Sequence, residues 1–96
     1  MATYIMLFRF TEQGVKDIKD SPERVDQSRK AFEKIGVKVK QFYAVMGRYD
    51  TVFVVEAPDD ETAAKAALLV SSMGNVHTET MRAFTEDEYR QMVAGI

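Results

Sequence analysis

Two short runs, "TYIMLFRF" (Thr3 to Phe10) and "TVFVVEA" (Thr51 to Ala57), constrain this chain more than any other feature, because both are apolar at consecutive positions. Successive side chains of a strand point to opposite faces of its sheet. Tyr4, Met6, Phe8 and Phe10 alternate with Ile5 and Leu7, and Phe53 and Val55 alternate with Val52 and Val54. A sheet built on these strands therefore needs cover on both faces, whereas an antiparallel sheet with one face in water shows apolar-polar alternation. Helices of the same chain can cover one face. The other calls for a second sheet, so a homodimer or higher homo-oligomer is expected, with Tyr4, Met6, Phe8 and Phe53 as candidates for the dimer seam.

The remaining segments supply the helices and two further strands. After "TEQG", the segment "GVKDIKD" suits an extra helical turn that packs Val15 and Ile18 on the core. "DSPERVDQSRKAFEKIG" offers Asp20 or Ser21 as N-cap, Pro22 in the first turn, apolar positions at Val25, Ala31, Phe32 and Ile35, and Gly36 as a stop. "VKVKQFYAVM" and "TVFVVEA" read as a hairpin, "ETAAKAALLVSSMG" as a second helix after the "PDD" turn, and "VHTETMRAF" as a last strand. Thr85 and Glu88 have the spacing of a capping box and open a short terminal helix. Between Ala63 and Met73 only Lys65 is charged, which predicts a helix buried on more than one side. The order β, α, β, β, α, β predicts an α+β, ferredoxin-like fold: a four-stranded antiparallel sheet with two helices on one face, plus the C-terminal helix. With 96 residues the chain reads as a single domain over 1–96, since a second core would leave each part too small.

Composition excludes several chemistries. Thirteen Lys and Arg against fifteen Asp and Glu, with no basic run, speak against nucleic acid as a partner. There is no cysteine and only one histidine, so thiolate chemistry and Cys- or His-rich metal cages are out, and no cofactor is expected. The apolar run at the N-terminus is short, ends in Arg9 and lacks a basic flank, so neither a signal peptide nor a membrane span is expected; a cytoplasmic location is.

"MGRYDTV" (residues 46–52) breaks the hairpin with a glycine, a cation, a phenol and a carboxylate. Gly47 suits the first central position of a two-residue type II′ turn, where positive φ requires no Cβ, and Arg48 would then face solvent. Whether the loop has two residues or four, the pairing keeps the same parity, which places Tyr43, Val45, Val52, Val54 and Glu56 on one face, with Asp50 on the Tyr43 side. Gly47 is thus assigned to the turn, and Tyr49 and Asp50 to ligand contact together with Arg9 and Tyr43, which stand beside apolar strand positions. Arg9 and Asp50 favour opposite charges, so a zwitterion such as an amino acid would suit both. His77 and Glu79 are two apart on a strand and share a face; two ligands alone make a weak metal site. No nucleophile spaced to a base is legible, and Ser71 and Ser72 have no triad relation to His77.

"FYAVMGRYDTVFVVEAPDDETA", together with "GNVHTETMRAF" and "RFTEQGVKDIKDSPER", resembles the GYD-domain family over essentially the whole chain. More distantly, Gly47, Tyr49 and Asp50 ahead of an apolar strand are similar to the effector-binding domain of the Lrp/AsnC regulators. The resemblance implies a dimeric α+β barrel and, from the regulators, effector binding near Gly47, Tyr49 and Asp50, where dimers meet. No helix-turn-helix is expected ahead of the first strand, so DNA binding is not carried over. The leading expectation is a stand-alone oligomeric small-molecule (effector-like) binding module. A small cofactor-independent enzyme of monooxygenase or isomerase type, acting on an apolar substrate in the barrel, is an alternative by analogy of fold. A structural interaction domain is a second.

Overall fold

The two strands with apolar residues on both faces lie side by side at the centre of the sheet. A computed structural model describes all 96 residues. Its strands are β1 (Ala2–Phe10), β2 (Lys38–Ala44), β3 (Thr51–Ala57) and β4 (Val76–Ala83). Its helices are α1 (Glu12–Lys16), α2 (Ser21–Lys34), α3 (Asp60–Ser72) and α4 (Glu86–Ala94), with a 3-10 turn at Ile18–Asp20. The strands pair antiparallel in the order β2-β3-β1-β4, the ferredoxin-like arrangement expected from the element order. β1 pairs with both β3 and β4, for instance Met6 with Phe53 and with Thr80.

One face of the sheet is covered by α2 and α3, and the core lies there. Tyr4, Met6 and Phe8 of β1 and Phe53, Val55 and Ala57 of β3 are buried against Phe32 of α2 and Ala63, Ala66 and Val70 of α3. The Phe53 ring meets Phe8, Phe32 and Phe42 edge-on, at centroid distances of 5.2, 5.8 and 5.7 Å, the geometry that the ring quadrupoles favour. This corrects the seam expected at Tyr4, Met6, Phe8 and Phe53. Parity turns those four side chains toward the chain's own helices, and the residues presented on the opposite face are Ile5, Leu7, Val52 and Val54. α3 is also buried on one side only: Leu68 is 71% exposed, with Ala64 and Lys65 exposed beside it. Its alanines make it apolar without making it enclosed, since Ala63 and Ala66 allow close approach to the sheet while Ala64 faces out.

Caps fix where the helices begin. The Asp59 side chain accepts from Thr62 N–H, and Thr85 and Glu88 form the reciprocal box foreseen from their spacing. Between β1 and α2, the expected extra turn is instead α1 followed by the 3-10 turn, and Val15 and Ile18 are 56% and 45% exposed rather than packed on the core. The contact that holds this segment is polar. Thr11 N–H donates to the Asn75 carbonyl (3.0 Å) and the Thr11 hydroxyl to the Gly74 carbonyl (2.7 Å), which ties the end of β1 to the turn before β4. Gly14 is buried in this junction, and a Cβ there would fall well inside contact distance of the Asn75 carbonyl oxygen, with no flexible side chain to yield. No helix is long and apolar enough to cross a membrane. Gly14→Ala should lower stability by about 1–3 kcal/mol through this overpacking, read as a lower midpoint in urea denaturation; an unchanged midpoint would show that the junction yields freely.

Candidate functional site

The GRYD turn closes in its wider form. Val45 N–H donates to the Asp50 carbonyl (2.9 Å), which leaves Met46 to Tyr49 as a four-residue loop in place of the two-residue type II′ turn. Gly47 has φ +109°, a region that side chains with a Cβ rarely adopt, and nothing lies within 4 Å of where its Cβ would stand. The glycine is thus required by the backbone alone. Tyr43 pairs with Val52 and Phe42 with Phe53, the parity read from the sequence. Asp50 then extends the β1–β3 ladder beyond its last pair: its N–H donates to the Phe8 carbonyl, and its Oδ2 accepts from Phe10 N–H, both at 2.8 Å. A side-chain oxygen here substitutes for a strand carbonyl, which is within the reach of an aspartate.

On the sheet face away from the helices, the pairings place residues in rows across the strands. Tyr43, Val52, Leu7 and Glu79 form one row, and Gln41, Val54, Ile5 and Met81 the next. Toward the hairpin end, Arg9 lies opposite His77. The centre of this face is apolar and its hairpin end is charged. Tyr49 folds back from the turn so that its phenol donates to Glu79 Oε2. That bond raises the Tyr49 pKa above its ordinary value, with desolvation and the Glu79 charge acting the same way and Arg48 and Arg9 opposing them. Arg9 takes part in none of the chain's ion pairs and is exposed, as is His77. The corner therefore offers guanidinium and imidazole donors around a carboxylate that already accepts a phenol.

Three of the four expected ligand residues reach this face: Arg9, Tyr49 and Tyr43. Arg9 and Tyr49 come together at one corner, while Tyr43 stands on edge strand β2 and is 51% exposed. Asp50, expected on the Tyr43 side, instead lines a groove on the helix side together with Phe42 and Thr51, because its carboxylate turns to Phe10 N–H. His77 and Glu79 share a face as read, but no group of three or more His, Cys, Asp or Glu side chains is placed to hold a metal ion. The Tyr49–Glu79 bond was not legible, because nothing local in "GRYD" says how far its phenol reaches across β1 to β4. At the far end of the sheet the Tyr4 phenol donates to Asp60 (2.5 Å), and Arg82 stacks over Tyr4 and Phe84 at 5.6 and 4.3 Å and pairs with Glu88 at 3.9 Å. These contacts set the direction in which α4 leaves the sheet.

The family model described as the GYD domain matches residues 4–93. A Thermus thermophilus protein named "Glutamine synthetase and cystathionine beta-lyase binding protein" is 42% identical over 84 residues, 86% of this chain and 88% of the relative. The crystal structure of TTHA0845, also from Thermus thermophilus, is similar with a TM-score of 0.58 and 28% identity, over 88% of this chain and 95% of that one. The leucine response regulatory protein LrpA of Mycobacterium tuberculosis has a TM-score of 0.66 at 14% identity, over 88% of this chain and 51% of its own; that likeness is one of fold.

The raised Tyr49 pKa has a signed consequence. The neutral phenol is the form that the Glu79 bond favours, so its contribution is fully present below the ordinary phenol value of about 10 and is lost as pH climbs through the higher folded value. Glu79→Gln should bring the Tyr49 titration back toward that ordinary value, read by phenolate absorbance with Tyr49→Phe as the subtraction control. An unmoved titration would remove the bond. Gly47→Val should destabilise by about 1 kcal/mol or more through backbone strain, checked by thermal melting.

Proposed function

The chain belongs to the GYD-domain family, and from that footing we propose that it is a homo-oligomeric binding module in which two copies close their open sheet faces and hold a small effector at the charged corner of the seam. The observation that carries this reading is the open face itself. Ile5, Leu7, Val52, Val54 and Met81 form a contiguous apolar centre opposite the helices, bounded at the hairpin end by Arg9, His77, Glu79 and Tyr49. Two such faces apposed leave an apolar space, and a few polar groups at its edge suffice for selectivity. Arg9 and Arg48 are cations beside Tyr49, and Glu79 already accepts the phenol, so the corner favours a carboxylate over an ammonium group. Asp50, turned to Phe10 N–H, does not supply the opposite pole of a zwitterion at this corner.

A second reading rests on the relative that is 42% identical, whose name says that it binds two enzymes. In that reading the chain docks on enzymes of amino-acid metabolism, and the effector modulates the docking. An enzymatic role finds little in the geometry: the Ser71 hydroxyl bonds Thr78 (3.2 Å) on the helix side, while His77 is on the opposite face and cannot serve it as a base.

Light scattering should give at least twice the mass of one chain at micromolar concentration. Val54→Glu, at a position only half-buried within one chain, should fold and release single copies, because a charge apposed to the partner's apolar face costs several kcal/mol. A single-chain mass for the unaltered protein would overturn the oligomer. Calorimetry against small aliphatic and aromatic carboxylic acids tests the corner: binding should be lost in Arg9→Ala and weakened in Tyr49→Phe, and equal binding by both variants would refute the site.

A further inference from the structure

On the other side of the sheet, a groove of about 580 Å³ runs between α2 and the β2–β3 hairpin. Its volume is in the range of small-molecule sites, roughly 300–1,000 Å³. Phe10, Val25 and Phe42 form its walls, and Asp26, Arg29 and Asp50 stand along it. Phe10, Val25 and Phe42 also line a recess of about 50 Å³ that extends the groove into the core toward Phe8, Phe53 and Val70. Ser28, the chain's one buried polar side chain at 6% exposure, lines that recess as well. Since about 10–15 Å³ of such space holds one water molecule, the recess takes a tail of roughly three or four non-hydrogen atoms.

The geometry points to a small-molecule site in this groove for a ligand with an ammonium head and a short aliphatic tail, the tail in the aromatic recess and the head between Asp26 and Asp50. Asp50 is already oriented, because Phe10 N–H holds its Oδ2 and leaves the other oxygen as an acceptor. Asp26 and Arg29, one helical turn apart, form no ion pair with each other. Arg24 also lines the recess, but its guanidinium is held on the Asp17 and Gly14 carbonyls, so where the head would sit two carboxylates stand against the single guanidinium of Arg29 and a cation is preferred. Arg29 distinguishes the two natural sources of such a head: it adds affinity for an amine that also carries a carboxylate, as an amino acid does, and none for a plain amine. The site shares no residue with the Arg9–Tyr49 corner and stands whether or not the sheets pair.

The test is a titration of the isotope-labelled full chain, followed by NMR, with three probes of one tail: 3-methylbutylamine, leucine and 4-methylpentanoate. The two ammonium compounds should shift the amides of Val25, Phe42 and Asp50 with dissociation constants on the order of 1 mM, and 4-methylpentanoate should leave them unmoved. Asp26→Asn, on the exposed face of α2 and so without effect on folding, should weaken both amines by about tenfold, and Asp50→Asn likewise. Arg29→Gln should weaken leucine alone; equal loss for both amines would overturn the role given to Arg29. Binding of 4-methylpentanoate at the same amides, shifts confined to Leu7, Arg9 and His77, or no saturable shift with either amine well above that concentration would each overturn the proposal.

Discussion

Everything else in this structure depends on β1 being paired on both edges. A strand with β3 on one side and β4 on the other has no free backbone edge, and with helices on one face it has only the opposite face to present. Tyr4, Met6 and Phe8 then go into the core by parity, and Ile5, Leu7 and Arg9 must face away from it. A one-residue slip of β1 would exchange those two sets and place Arg9 against the helices, so register is strongly specified. The apolar open face follows directly from that pairing.

The two ends of β1 are finished by different devices, and each acts at a distance. At the hairpin end Asp50 continues the ladder with its main chain and then with its side chain, so the GRYD loop is anchored to β1 as well as to β2. That anchoring brings Tyr49 to Glu79 on β4 and concentrates charge at one corner of an otherwise apolar face. At the other end Tyr4, Asp60 and Arg82 link β1, α3 and β4, and the Arg82–Glu88 pair carries the link into α4. These polar contacts are at or near the surface, where single ion pairs contribute little to stability. Their effect is on direction, that of the turn and that of the terminal helix.

The same hairpin thus separates two environments. Arg9, His77 and Tyr49 lie on one side of the sheet, and Asp26, Arg29 and Asp50 on the other. A linear reading sees Arg48, Tyr49 and Asp50 as one constellation because they are adjacent. In three dimensions Tyr49 and Asp50 serve opposite faces, because the Tyr49 phenol reaches Glu79 on β4 while the Asp50 carboxylate turns to Phe10 N–H.

What the sequence determined by itself was whatever rests on local pattern. Apolar spacing, the Thr85–Glu88 box, Gly47 at a position of positive φ and the hairpin parity of Tyr43 with Val52 are encoded within a few residues, and each appears in the structure. Only the tertiary structure decided which apolar set of β1 and β3 the helices would cover, and so removed Tyr4, Met6, Phe8 and Phe53 from the open face. Both sets are hydrophobic enough to be core, and the choice depends on where α2 and α3 cross, which no short window contains. The partners of Tyr49 and Asp50 were equally undecided: Glu79 is 30 residues from Tyr49 and Phe10 is 40 from Asp50. Pairings at that separation are set by sheet order, a property of the whole chain.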